Sequence, residues 1–140
     1  LGDSGSYFIG FVFGSLLILV YKKFSYFSPF FVVLLLWYPC FENLFSIIRK
    51  KLLKKNSPLL PDPKHLHQLM FVYVNKNLVK NKIFANLLVA NIINIYNLFI
   101  FSLSMIDISD TKFQLLLIFI NISIYTLIYL TLFNFLKKNQ

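Results

Sequence analysis

The sequence is poor in acidic residues and cysteine, and each shortage excludes a class of protein. Only five of 140 residues are Asp or Glu against 14 Lys or Arg, and 14% are charged where a soluble domain has about a quarter. The single cysteine, Cys40, excludes an internal disulfide, and no CxxC or HExxH pattern offers a zinc site. What is abundant is apolar: 58% of residues are hydrophobic, and the mean hydropathy is +0.70. We therefore predict an all-α, polytopic membrane protein.

Four apolar runs carry this prediction, at about residues 7–21, 29–48, 84–106 and 113–136. A helix needs roughly 20 apolar residues to cross a bilayer, so each run is a predicted transmembrane helix, the first being short. Pro39 lies inside the second run and should kink it, because proline removes a helical hydrogen bond. The expected organisation is one transmembrane domain over residues 1–140, with a basic loop at 49–83.

The basic residues indicate an orientation rather than a nucleic-acid partner, since they flank the apolar runs. The loop 49–83 and the tail at Lys137 and Lys138 are basic, whereas the short "DISDTK" loop holds two acids and one lysine. Positive charge marks the cytoplasmic side. We expect the long loop, the tail and the N-terminal "GDSGS" inside, with Lys22 and Lys23 as exceptions outside.

The opening "GDSGS" places the carboxylate of Asp3 at the start of an apolar helix. A helix N-terminus favours phosphate, and a carboxylate there could hold a divalent cation that bridges to the phosphate. The alternative is a plain helix cap formed by Asp3 or Ser4 at the membrane boundary. The spacing alone leaves both interpretations open.

The stretch "PDPKHLHQL" contains both histidines of the chain, His65 and His67, close to Asp62 and Lys64. A spacing of two puts the imidazoles on opposite sides of an ideal helix, which argues against a shared zinc. In a loop or at a helix start they could converge on a phosphate or on a metal-bound group. The alternative is a solvated loop with incidental histidines.

An ionisable residue, Glu42, lies within the second apolar run. Such residues are costly in a membrane and are functional candidates by default. Arg49 follows seven residues later, on about the same helix face, and could pair with Glu42. Structural and functional roles for Glu42 are equally open.

The three motifs, in this order, resemble the C-terminal part of the polyprenyl-phosphate N-acetylhexosamine-1-phosphate transferases. This is glycosyltransferase family 4, which also includes phospho-N-acetylmuramoyl-pentapeptide transferase. The family pattern GDxGS is met in full by residues 2–6. Its proline, acid and basic helix end are matched by Pro39, Glu42, Arg49 and Lys50, although the sugar-transferring branch usually has Asp in place of Glu42.

The histidine motif of the family is matched at Pro61, Asp62, His65 and His67. It departs at Pro63, where Arg is usual, and at Gln68, where a third His is usual. The acidic pair that the family carries on an earlier cytoplasmic loop is absent. The resemblance therefore implies the C-terminal piece of a longer enzyme, inactive by itself.

The resemblance implies a phosphoglycosyl transferase of the bacterial plasma membrane. Such an enzyme moves N-acetylhexosamine-1-phosphate from a UDP-sugar to a polyprenyl (undecaprenyl) phosphate and releases UMP, in the synthesis of cell-wall polysaccharide or lipopolysaccharide. It implies catalytic roles for Asp3, His65 and His67, with Mg²⁺ or Mn²⁺ on Asp3. Substrate binding is implied for Ser4, Gly5, Glu42, Arg49, Asp62 and Lys64. The implied partners are the two substrates and membrane lipid, with no nucleic acid, and a homodimer is allowed.

The rival hypothesis is a non-enzymatic membrane transporter or assembly subunit. Its main support is a set of asparagines in the third apolar run: Asn86, Asn91, Asn94 and Asn97. Polar residues or broken helices near the bilayer midplane are typical of transporters. The ionisable residues gather instead at one predicted face, which favours chemistry on a lipid headgroup.

Overall fold

The chain is built from α-helices throughout the part that the structure describes. This computed structural model describes residues 2–52 and 64–138, with side chains over 7–51 and 64–138. The helices are α1 (Gly2–Lys23), α2 (Pro29–Leu35), α3 (Trp37–Leu52), α4 (Leu66–Asn77), α5 (Lys82–Ser104) and α6 (Thr111–Lys138). No strand occurs within these ranges. The predicted all-α class is confirmed.

Two helices, α5 and α6, are long and apolar enough to cross a membrane. They extend about 35 and 42 Å at 1.5 Å per residue, against about 30 Å of hydrocarbon. Helices α2 and α3 form a third span when they are counted as one bent element. Helix α1 has 22 residues and includes the "GDSGS" motif in its first turns. Its crossing of the membrane stays a prediction.

The second predicted span is broken between α2 and α3, which meet at 76°. The break lies at Leu36, whose backbone N–H bonds the Val33 carbonyl at 3.2 Å in a tightened final turn. Pro39 has no N–H for the Leu35 carbonyl, and its ring crowds that carbonyl. The kink predicted from Pro39 therefore lies about one turn earlier, where its missing hydrogen bond would have been.

One end of the bundle is closed by hydrogen bonds between α2, the 105–110 loop and α6; we call it the loop end. The Ser28 N–H donates to the Ile108 carbonyl at 2.9 Å, and the Ser28 hydroxyl donates to Thr111 Oγ1 at 3.2 Å. Ser28 also caps α2, since its Oγ accepts from Phe30 N. The start of α2 thus lies beside the start of α6.

The opposite end, which we call the tail end, gathers the end of α3, helix α4, the start of α5 and the end of α6. Lys64 lies over the ring of Phe133, and Tyr73 contacts Phe135. Helix α5 begins at the tail end with Lys82 and ends at the loop end with Ser104. Basic residues dominate the tail end, and Asp107 and Asp110 lie at the loop end. The two predicted groups of charge are therefore separated by the length of the bundle.

Helix α4 packs inside the bundle, although its sequence falls in the predicted 49–83 loop. Leu66 and Leu69 join Trp37, Tyr125 and Tyr129 in one buried cluster. On its other side, Val74 packs against residues of α5. His65, immediately before α4, is thereby held against the core, whereas His67 in the first turn of α4 is exposed.

Candidate functional site

The site is built around the first turn of α4. His65 is the N-cap residue, in an extended conformation with φ −71° and ψ 153°. Its backbone N–H donates to Oε1 of Gln68 at 3.1 Å, and its carbonyl accepts from Leu69 N at 3.0 Å. A side chain three residues into a helix commonly satisfies the N-cap N–H in this way. Gln68 therefore fixes the conformation from which the His65 side chain leaves the backbone.

The structure brings the two imidazoles together. The rings of His65 and His67 stack with centroids 5.7 Å apart and planes 14° from parallel. Two residues within one helix would diverge, but His65 precedes the helix and its extended backbone turns its side chain toward that of His67. His65 is half-buried and His67 is exposed. The sequence allowed the two imidazoles to converge at a helix start, and their rings lie together at the start of α4.

Glu42 reaches from α3 to this same turn. It is 7% exposed, and its Oε1 lies 3.0 Å from Nδ1 of His65. The same oxygen accepts a hydrogen bond from the backbone N–H of Leu66 at 2.8 Å. A carboxylate at a helix N-terminus is stabilised by the free N–H groups and the helix dipole. Glu42 therefore bonds both the histidine and the helix that follows it.

A half-buried tyrosine, Tyr38, and a buried one, Tyr125, lie beside the Glu42 carboxylate. Tyr38, one turn earlier on α3, and Tyr125 on α6 both interact electrostatically with it. Neither hydroxyl makes a hydrogen bond of standard geometry to any described residue, and the same is true of Oε2 of Glu42. Phe41 and Phe45 pack edge-on against Tyr125 at 5.0 and 5.3 Å. The carboxylate thus lies in a largely aromatic pocket.

Arg49 holds the residue before the histidines. Its Nη1 donates to the Lys64 carbonyl at 2.5 Å and to the Tyr129 hydroxyl. The guanidinium also lies over the Tyr129 ring, 5.2 Å from its centroid. Sequence spacing allows Arg49 to pair with Glu42, and that pairing stays a prediction. Both residues bond the 64–66 segment, at successive positions.

Several predicted residues lie outside the described parts. Asp62, with Pro61 and Pro63, falls in the gap between 52 and 64. Asp3 and Ser4 are in the first turn of α1, as is Gly5, but the side chains of Asp3 and Ser4 are not described. Over the described residues, no group of three His, Cys, Asp or Glu could hold a metal ion. The metal role of Asp3 stays a prediction.

Two cavities adjoin the site. A groove of about 600 Å³ runs between α4 and α5, and its lining combines His67, Gln68 and Lys82 with apolar side chains such as Phe71 and Val89. A second cavity of about 110 Å³ is wholly apolar. It lies on the other side of Leu66 and is lined by Trp37, Tyr38, Met70, Tyr96 and Tyr125, with several isoleucines.

Sequence reasoning missed the aromatic and amide partners of the site. In the sequence, Gln68 stands out only as a departure from the family pattern. Its position three residues after His65 is nevertheless a helix-capping spacing. Tyr125 and Tyr129, four residues apart, form one face of α6 toward α3 and α4. The i, i+4 spacing was visible, but nothing in the sequence indicated which face of α6 meets Glu42.

The comparison with curated proteins supports a relation to one transferase. The chain is 34% identical over 74 residues to a Bacillus subtilis (strain 168) protein named as a probable undecaprenyl-phosphate N-acetylglucosaminyl 1-phosphate transferase. The match covers 52% of this chain and 20% of the relative, so the matched segment spans about a fifth of that protein. No family model matches the chain, and no solved structure matches it.

Proposed function

We propose that this chain is part of a membrane phosphoglycosyl transferase that joins a sugar phosphate to a polyprenyl phosphate. The observation that carries the proposal is the stacked histidine pair, which a buried carboxylate and an arginine hold at the basic end of a membrane bundle. The similarity to the Bacillus transferase supports the reaction class. In the proposed reaction the donor is a UDP-N-acetylhexosamine.

The bonds that change in this reaction define what the site must do. An oxygen of the polyprenyl phosphate bonds to the β-phosphorus of the UDP-sugar, and the bond from that phosphorus to the bridging oxygen breaks. UMP leaves, and the lipid carries a diphosphate-linked sugar. Both reactants are anions, so cationic and hydrogen-bonding groups must offset their repulsion. His65, His67 and Lys64 are the described groups that we assign to this task.

The tail end suits the charge of these substrates. The described basic residues there are Arg49, Lys50, Lys51, Lys64, Lys76, Lys80, Lys82, Lys137 and Lys138. Basic residues near a membrane surface attract anionic lipid headgroups by about 1 kcal/mol each. We propose that the tail end is cytoplasmic, where positive charge accumulates in membrane proteins. UDP-sugars would then reach the site directly.

The groove between α4 and α5 is the proposed entry for the lipid acceptor. Its His67, Gln68 and Lys82 can bond an anionic head, and its Phe71, Ile83 and Val89 can contact an apolar chain. A ligand with both parts is an amphiphile such as polyprenyl phosphate. Because His67 also stacks on His65, a phosphate bound at His67 would lie beside the site.

A divalent cation, Mg²⁺ or Mn²⁺, is part of the proposal. Glu42 is an unsuitable ligand because it is buried in a largely aromatic pocket and its Oε1 already bonds His65 and Leu66. Mg²⁺ commonly needs only one or two carboxylates beside substrate phosphates and water, so Asp3 as the predicted ligand fits the donor set. When bound, the cation would neutralise charge on the diphosphate.

A metal-dependent exchange assay on the full-length protein tests the proposal. Membranes are given UMP, a polyprenyl diphosphate-sugar and a panel of UDP-sugars, with and without Mg²⁺. We expect exchange of label between UMP and one UDP-N-acetylhexosamine, and its loss in Asp3→Asn while membrane insertion is retained. Exchange that is unchanged in Asp3→Asn would contradict the metal role, and no exchange with any UDP-sugar would contradict the transferase.

The rival, a transporter or assembly subunit, gains support from the broken helix. A groove of about 490 Å³ beside the break at Leu36 is lined by Trp37, Asn94 and Asn97 with apolar residues. Discontinuous helices with polar side chains are typical of transporter sites. Failure of the exchange assay, together with UDP-sugar uptake into vesicles that Asn94→Leu abolishes, would favour this function.

A further inference from the structure

We propose that Glu42 and Arg49 act as positioning residues, which hold the 64–66 segment so that His65 presents its Nε2 atom to the substrate phosphates. The proposal deepens the proposed function, because it states how the histidine is oriented. It also replaces the expectation that Glu42 and Arg49 bind substrate.

The polar atoms of Glu42 and Arg49 bond the 64–66 segment. Glu42 Oε1 contacts Nδ1 of His65 at 3.0 Å and accepts from Leu66 N at 2.8 Å. Arg49 Nη1 donates to the Lys64 carbonyl at 2.5 Å. Three consecutive residues, Lys64 to Leu66, are thus bonded by two side chains that lie two turns apart on α3.

The burial of Glu42 favours a positioning role over a substrate-binding role. Glu42 is 7% exposed and lies among Tyr38, Tyr125 and the aromatic rings of α3. A substrate phosphate would have to displace the Leu66 N–H to reach Oε1, and a carboxylate repels an anion. Removing the buried carboxylate would leave the Leu66 N–H and His65 Nδ1 without their acceptor, so these two contacts hold Glu42 in place. Glu42 therefore faces the protein, and His65 lies between it and the site.

The carboxylate determines which ring nitrogen of His65 carries the proton. An ionised carboxylate only accepts hydrogen bonds, so Nδ1 must be the protonated nitrogen for the 3.0 Å contact to be favourable. In the neutral ring, Nε2 is then left with a lone pair. Nε2 can accept a proton or, in the imidazolium, donate to a phosphate. The histidine that faces the substrates is thus oriented by a partner on its far side, as a second-shell carboxylate orients a metal-bound histidine.

The spectroscopic test uses the chain with ¹⁵N-labelled histidine in detergent or bicelles. We expect the His65 signals, assigned with His65→Ala, to show protonated Nδ1 and unprotonated Nε2 when the ring is neutral. Glu42→Gln should keep this tautomer, since the amide oxygen can still accept from Nδ1 and from Leu66. Glu42→Leu should lose it. A His65 ring that is protonated at Nε2 in the unaltered protein would overturn the proposal, whatever the enzyme assay shows.

The kinetic test uses the full-length protein and rests on the proposed function. We expect Glu42→Leu and Arg49→Leu to lower kcat at least tenfold while leaving the KM for the UDP-sugar within about twofold, the pattern of lost orientation rather than lost binding. Glu42→Gln should retain more turnover than Glu42→Leu, and Asn43→Ala is the exposed control on α3. A selective rise in KM in Glu42→Gln would overturn the proposal, because it would show that Glu42 binds substrate.

The two tests fail in different ways. If neither the unaltered protein nor any variant shows turnover, the proposed function is contradicted, and the tautomer measurement still decides the orientation of His65. If Glu42→Leu does not fold, the tautomers of the unaltered protein and of Glu42→Gln still test the proposal. Membrane insertion and protease resistance are measured for every variant to identify misfolding.

Discussion

The two ends of the bundle use polar side chains in different ways. At the loop end, Gln114 is fully buried, and its amide donates to the Ser104 and Asp107 carbonyls at 2.9 and 2.7 Å. These bonds are neutral and join one segment of backbone to the next. At the tail end, a buried carboxylate and a guanidinium bond the segment that carries both histidines.

The difference indicates which end is built for chemistry. The loop end satisfies backbone groups with a neutral side chain, as every membrane bundle must satisfy its buried polar groups. The tail end uses a carboxylate and a guanidinium for the Leu66 N–H and the Lys64 carbonyl, and the exposed ring of His67 lies beside a groove. Charged residues retained in a membrane protein at this expense are functional candidates.

The largest expected effect is the loss of His67. In the full-length protein His67→Ala should lower UMP release at least a hundredfold, the range of a lost acid–base or charge-stabilising group. Folding should be unaffected because His67 is exposed. The measurement is the initial rate at saturating substrates, with Lys112→Ala at the loop end as the exposed basic control. A rate close to that of the control would contradict a catalytic role for His67.

Gln114→Leu should give the next largest effect, on stability and not on catalysis. The substitution removes the donor from the buried Ser104 carbonyl and from the partly buried Asp107 carbonyl. A buried unsatisfied group costs about 1–3 kcal/mol. We expect a lower Tm in detergent, with Lys112→Ala as the exposed control from the same turn. If the two variants melt together, the loop-end bonds do not stabilise the bundle, and the contrast between the ends is wrong.

The smallest effect concerns the exposed Asp107. The Ser109 hydroxyl and the backbone N–H groups of Asp110 and Ser109 bond its carboxylate and hold its pKa below the ordinary value of 3.8. A lowered pKa means that the stabilisation is present above the unfolded value and is lost as pH falls through the folded value. The Tm difference between the unaltered protein and Asp107→Asn should therefore shrink from about pH 6 to about pH 2. A difference that does not change with pH would contradict these loop bonds.

The membrane-spanning part of the fold was predictable because it depends on long apolar runs. The runs at 84–106 and 113–136 correspond to α5 and α6, and Pro39 predicted a kink in the run that contains the bend between α2 and α3. Helix α4 was not predicted, because its sequence mixes apolar residues with His67, Gln68 and Lys76 inside a basic stretch. Its position is decided by packing against α5 and α6, which local sequence does not reveal.

The candidate site was predictable in part. The sequence singled out Glu42 as an ionisable residue in an apolar run, Arg49 by its spacing from Glu42, and the two histidines by their clustering in the basic loop. The structure places all four within one connected group. Their partners could not be predicted. Which atoms meet depends on the extended N-cap at His65 and on the rotation of α6 that turns Tyr125 and Tyr129 inward, and both are tertiary properties.

The most direct test of the account is whether Asp3 and the histidines face the same side of the membrane. Single cysteines introduced by Gly2→Cys, His67→Cys and Ser109→Cys, each in Cys40→Ser full-length protein, are exposed to a membrane-impermeant maleimide in intact spheroplasts and in inverted vesicles. We expect Gly2→Cys and His67→Cys to react only in inverted vesicles, and Ser109→Cys only in spheroplasts. Reaction of Gly2→Cys and His67→Cys from opposite sides would contradict a shared site.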